Sequence, residues 1–228
     1  MIFWGFLLGV EMNELGPRFA TAHTRVGIGK QLLAEEVFER IGASIIDGTL
    51  PPGHRIRDAE LAAQFSVSRM PIREALQRLE RIGLVEMYPS RYTEVTTVTP
   101  EKVAETLEFA GYQAGALARM AAPRLNEQER AEAAGMARAL TASLSDGSDI
   151  SASRWTLFRY LSARSGNAIY ANLLDELGMM LFRNLRDWSI PETEREAMAA
   201  LHEELAEAFL AGDGDAAERV ARAMHHVR

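Results

Sequence analysis

The sequence contains no cysteine. Disulfides, thiolate metal sites and cysteine nucleophiles are therefore excluded, and the chain suits a reducing, cytoplasmic setting. Long hydrophobic runs are scarce as well. The opening MIFWGFLLGVEM has no basic residue ahead of its apolar stretch and is too short to span a bilayer, which argues against a secretory signal or membrane partner. Residues 1–25 read as an N-terminal extension, with Met12 as an alternative start. A disordered tail and a segment packed on a groove both stay open. No Gly-rich phosphate loop, HExxH or nucleophile–base signature occurs, so an enzyme is not expected.

What is present is a soluble, core-forming composition. Hydrophobic residues make up 47% of the 228, enough for a substantial interior, and the net charge is −7. That charge is unevenly spread, at −1 over residues 1–98 and −6 over residues 99–228. Between Arg55 and Arg91 seven arginines outnumber five acids. A basic face on an acidic body suits an anionic partner gripped at one place.

Periodicity divides the chain in two. Leu32, Leu33, Val37, Ile41, Ile45 and Ile46 recur at helical spacing and stop before DGTLPPG. DAELAAQF predicts a short second helix capped by Asp58, and Ser68 after the tight turn SVS is placed to cap a third. In that third helix Ile72, Ala75, Leu76, Leu79 and Ile82 form one apolar stripe that Gly83 ends. LVEMY and YTEVTTV, parted by PSR, read as a hairpin. From Thr99 onward only amphipathic helices follow, at about 100–122, 126–144, 150–165, 167–187, 191–211 and 213–228. Gly111 and Gly115 weaken the first of these. The expected fold is mainly α: a winged helix-turn-helix of three helices plus a β-hairpin over 26–98, then an all-α antiparallel helical bundle over 99–228.

The stretch SVSRMPIREALQRLERIGLV carries the chemistry. Arg69, Arg73 and Gln77 share a helix face opposite the apolar stripe. Arginine can bond guanine O6 and N7 in bidentate fashion and glutamine can address adenine, which is what major-groove reading requires. Ser66 and Ser68 at the helix start can bond phosphate with the help of the helix dipole. The bland alternative is a solvated helix laced by the Glu74–Arg78 pair.

These residues resemble a known family. IIDGTLPPGHRI, ELAAQFSVSRMPIREALQRLERIGLVE and the hairpin after it closely resemble the DNA-binding half of GntR-type bacterial transcription regulators. An N-terminal reader followed by an acidic all-helical half resembles the FadR/FCD branch. The resemblance implies operator contacts from Arg69 and Arg73, with Ser68 and Pro71 at neighbouring contact positions. Ala59 stands where some members carry a further contacting arginine. The glycine usual at the wing tip is replaced by Tyr92, which leaves either a shallow wing or one in which Arg91 reaches a narrow minor groove. It also implies a homodimer on an inverted-repeat double-stranded operator, a repressor's role, and a small-molecule effector in the helical half. An architectural DNA binder without effector, or a metal-dependent enzyme using His202 and His225, is the alternative.

FCD-type domains usually hold a metal with one Asp and three His, the first two in a D-x-x-F-H pattern before an SGN turn. Matched to WTLFRYLSARSGN, Trp155 takes the Asp slot and Arg159 the first His slot. His202 matches the second His, and His225 or His226 the third. Two imidazoles beside a fixed positive charge make a poor cation site, so no cofactor is expected and a divalent metal is disfavoured. Arg159 is instead expected to clamp the carboxylate of an organic acid, with His202 and a C-terminal His nearby; pairing with an acid such as Asp175 is the open alternative. Tyr112, Trp155 and Tyr160 are candidate cavity walls.

Overall fold

A computed structural model describes residues 26–89, 91–144 and 150–227, with side chains from Leu33 onward. The expectations for residues 1–25 lie outside the described residues. Two compact units divide at Thr97/Val98, one residue from the boundary read in the sequence.

The N-terminal unit opens with α1 (Val26–Ile46). After a two-residue strand β1 (Arg55–Ile56) come α2 (Asp58–Gln64), α3 (Arg69–Arg81) and the strands β2 (Val85–Tyr88) and β3 (Tyr92–Val95). Val37, Phe38, Ile41 and Ile45 of α1 are buried, as are Ile72, Ala75, Leu76 and Leu79 of α3, and the two helices pack together. The stripe read from sequence is thus the inner face of α3. Gly83 at φ +77° closes α3, where Gly83 N–H donates to Glu80 O and Leu84 N–H to Leu79 O. That bond pattern needs a left-handed residue, which glycine supplies without strain.

The wing has three strands rather than two, in the order β1-β3-β2, all antiparallel. Arg55 pairs in register with Glu94 and Ile56 with Thr93. Two capping expectations also change. Asp58 is the first residue of α2, with Arg57 at the cap position, and Ser68 occupies the cap of α3 without its hydroxyl accepting a helix N–H.

The C-terminal unit is helical throughout its described residues. It comprises α4 (Pro100–Ala121), α5 (Glu127–Ala139), α6 (Ile150–Ser162), α7 (Ala168–Leu185), α8 (Arg195–Ala211) and α9 (Gly214–Ala223). Side chains start several of these helices. Thr99 Oγ1 accepts from Lys102 N–H, Asn126 and Glu129 form a reciprocal capping box, and Asp213 accepts from two α9 amides. α4 packs chiefly on α9, and α5 on α8. Gly111 does not break α4. A Cβ there would stand 2.7 Å from Val227 Cγ2 and 2.8 Å from His225 Cβ, so the glycine is what lets the chain's C-terminal turn press onto α4. Among the described residues no helix is long and apolar enough to cross a membrane.

Candidate nucleic-acid interface and effector cavity

The outer face of α3 is open. Arg69, Met70, Arg73 and Gln77 are exposed, as are Ser66 and Ser68 in the turn before it. Ser66 sits at φ +55°, the left-handed turn that swings α3 away from α2. Arg73 is steadied by Asp58, its Nε 3.4 Å from Oδ2. Sequence reasoning assigned Asp58 to capping and so missed this positioning role. Arg78 does not belong to the solvated face. It donates to Glu35 at 2.6 Å and lies 4.0 Å over the Phe38 ring, fastening α3 to α1. Pro71 is buried, so it has no surface to offer a duplex; only one side of the first turn of α3 faces outward.

The wing also differs from expectation. Tyr92 is not at the tip but in the sheet, paired with Tyr88. Its ring lies 4.7 Å from that of Tyr88, with the Arg55 guanidinium 4.1 Å over its centroid. This stack holds the tyrosine in the ladder. Pro89 and Arg91 lie between the two strands, where Arg91 N–H donates to Tyr88 O at 3.0 Å. Arg91 is exposed there.

In the C-terminal unit a cavity of about 60 Å³ opens between α4, α6 and α7. Its lining includes Arg154, Trp155, Phe158, Arg159, Trp188 and His225. On α6 the expected Trp155 and Arg159 both line this cavity, beside Arg154 and Phe158. Phe158, not Arg159, stands against His225, at 5.8 Å between rings. Arg154, not Trp155, is the buried member of the pair, only 4% exposed. Residues 154 and 158 are one helical turn apart, as are 155 and 159.

Arg154 is an unusual group to bury. Its Nη2 contacts Met198 Sδ at 3.2 Å and its guanidinium lies 5.2 Å from the Trp188 centroid. Nε and Nη1 have no hydrogen-bond partner. Desolvation lowers its pKa to about 10, so it stays charged at neutral pH. His202 is fully buried, with Nδ1 3.1 Å from Thr141 Oγ1 and Nε2 without a partner. His225 Nδ1–H donates to Ala221 O at 2.9 Å, which fixes the tautomer with Nε2 unprotonated. Burial, then the nearby Arg154 charge, pushes His202 down to about 4 and His225 down to about 3. Both imidazoles are neutral at pH 7.

Other expected pocket residues lie elsewhere. His226 is exposed with Nε2 3.5 Å from Glu194. Tyr112 is 47% exposed beneath Arg222. Tyr160 donates to Glu132 at 2.8 Å. Arg159 and Asp175 both line the cavity. A resident metal does not fit these residues: the Arg154 charge acts on both buried histidines, and among the described residues no three His, Asp or Glu are grouped to hold an ion.

Comparison with known proteins bears on both units. The family model of bacterial regulatory proteins of the gntR family matches residues 33–95, and that of the FCD domain matches residues 114–226. The uncharacterized HTH-type transcriptional regulator YdhC of Bacillus subtilis is 37% identical over 70 residues, 31% of either chain; the match thus spans about three-tenths of that relative. A longer match, 27% identical over 198 residues, covers 86% of this chain and 85% of a Paenarthrobacter nicotinovorans protein named "Probable D-xylose utilization operon transcriptional repressor". The solved structure of E. coli McbR/YncC superposes with a TM-score of 0.62 at 21% identity, covering 85% of this chain and 93% of that one, which extends the likeness of fold across both units. With an exposed helix face on a winged helix-turn-helix over residues 33–95 and an FCD domain over residues 114–226, the chain belongs to the gntR family of bacterial regulatory proteins.

Proposed function

We propose that this regulator is a cytoplasmic repressor that binds an inverted-repeat operator as a homodimer and changes its operator affinity when a small carboxylate-bearing molecule enters the helical domain. In this reading Arg69, Arg73 and Gln77 contact base edges, while Ser66 and Ser68 take phosphates. The observation that carries the DNA half is the exposed row of Arg69, Arg73 and Gln77 on a helix whose other face is fully engaged. The cavity lined by Arg154 and Arg159 supports the effector half. A two-fold dimer presents two reading helices to half-sites one helical turn apart, since a single unit covers only a few base pairs.

The test is a gel shift of purified protein on DNA upstream of its own gene, repeated across a panel of carboxylic acids and their amides. Retarded DNA whose mobility responds to an acid, and not to its amide, supports the reading. Binding indifferent to every acid removes the effector half and leaves an architectural binder.

The wing provides a separate expectation. Arg91 stands exposed at the turn, so Arg91→Ala lowers operator affinity by about 5- to 10-fold, mostly for operators with A·T-rich flanks. Fluorescence anisotropy on A·T-rich and G·C-rich flanks measures it. Equal affinities for wild type and variant mean that the wing stays shallow.

A further inference from the structure

Arg154 sets a problem of charge. A guanidinium removed from water is costly unless an anion or a set of acceptors accompanies it. Met198 Sδ and the Trp188 ring are weak company, and desolvation alone accounts for its altered proton affinity. At least two of its N–H donors are left without acceptors, on a side chain that lines a cavity. The two imidazoles nearest it in charge are neutral and cancel nothing.

We infer that Arg154 is the anion receptor of the effector cavity, holding the carboxylate of a small monoanionic ligand with an apolar body, without a metal ion. The inference rests on the effector reading above and makes it specific. The Arg154 guanidinium, whose charge acts on two neutral histidines, balances one negative charge. Most of the remaining walls, among them Phe158, Trp155 and Trp188, are apolar or aromatic, with Gln113, Ser151, Ser162, Arg159 and Asp175 the polar members. Asp175 on the same lining opposes a second carboxylate. The cavity of about 60 Å³ admits a compact head group rather than a long chain.

The probes are butyrate, its neutral isostere butyramide, and succinate, titrated against the full chain by calorimetry and thermal shift. Butyrate is expected to bind and to raise the melting temperature, butyramide to do neither, and succinate to bind at least about 10-fold more weakly. Arg154→Met weakens butyrate about 100-fold, whereas Arg159→Met, at the originally expected clamp, changes it by about 3-fold or less. A chelator in the buffer leaves the butyrate response unchanged. In wild-type protein the Arg154 Nε–H resonance moves on adding butyrate, a readout that does not depend on the variant folding.

Butyrate binding that survives Arg154→Met, that needs a metal ion, or that leaves the Nε–H resonance in place overturns the inference while carboxylate sensing stands. If no carboxylate in the panel binds the wild type, the effector reading fails and the inference falls with it.

Discussion

Arg69→Ala and Arg73→Ala each weaken operator binding by about 10- to 100-fold, and together they reduce it to non-specific affinity. Both side chains are exposed, and neither supports the interior, so the loss arises at the DNA surface and not through unfolding. Arg73 is expected to give the larger effect. Its partner Asp58 holds the guanidinium at 3.4 Å, which reduces the rotamer freedom lost on docking. Asp58→Asn should therefore mimic a weak form of Arg73→Ala, lowering affinity several-fold with the arginine still present. An ion pair this exposed contributes little to stability, so the melting temperature should hardly move. Anisotropy titrations at several salt concentrations separate base reading from phosphate contact. A variant that loses only phosphate contact weakens all sequences alike and flattens the salt dependence; loss of base reading shows as lost preference for the operator. If both single variants bind the operator as wild type does, α3 is not the reading helix.

Why the sequence revealed α3 so fully, and the cavity so poorly, follows from what each depends on. The apolar stripe Ile72–Leu76–Leu79 and the terminator Gly83 are local signals, set by a 3.6-residue period and a single left-handed residue. The helices of the second unit were legible for the same reason; the structure adds that Thr99, Asn126 and Asp213 cap three of them. Strand β1 was missed because two residues carry no period; only pairing with Thr93 and Glu94 makes it a strand. The family slot puts Tyr92 at the wing tip, yet its place is decided by pairing and stacking with Tyr88 across the turn and by Arg55, which is distant in sequence. The cavity was legible only in part. Arg159 and Arg154 both line it, but the burial of Arg154 depends on packing against Met198 and Trp188, which are distant in sequence. What the sequence did convey was the chemistry: an arginine and two histidines in place of a ligand set. The fold decided how deeply each arginine is buried.

That choice has a consequence for acid stability. Lowering the pH from 7 to 5 is expected to destabilise the helical unit by about 4 kcal/mol, about 2 from each of His202 and His225. In the folded protein their pKa values are about 4 and about 3, against about 6.5 in an unfolded chain. Between those limits the unfolded state binds more protons than the folded one, so stability rises with pH. The contribution is complete above about 6.5 and is lost as pH falls toward 4 for His202 and toward 3 for His225. The sum is a ceiling, because both imidazoles feel the same Arg154 charge. The three carboxylates with lowered pKa values add little between pH 7 and pH 5. Glu101, Glu132 and Glu203 have pKa values held below 4.5 by hydrogen bonds to Thr99, Tyr160 and Arg138 respectively, so their stabilisation is lost only at lower pH. Urea unfolding followed by tryptophan fluorescence, with Trp155 and Trp188 in this unit, reads the change as a lower midpoint at unchanged slope. Equal midpoints at pH 7 and pH 5 would mean that water or an anion already reaches these histidines. A monocarboxylate seated on Arg154 should restore part of the loss, since it offsets the positive charge that opposes their protonation.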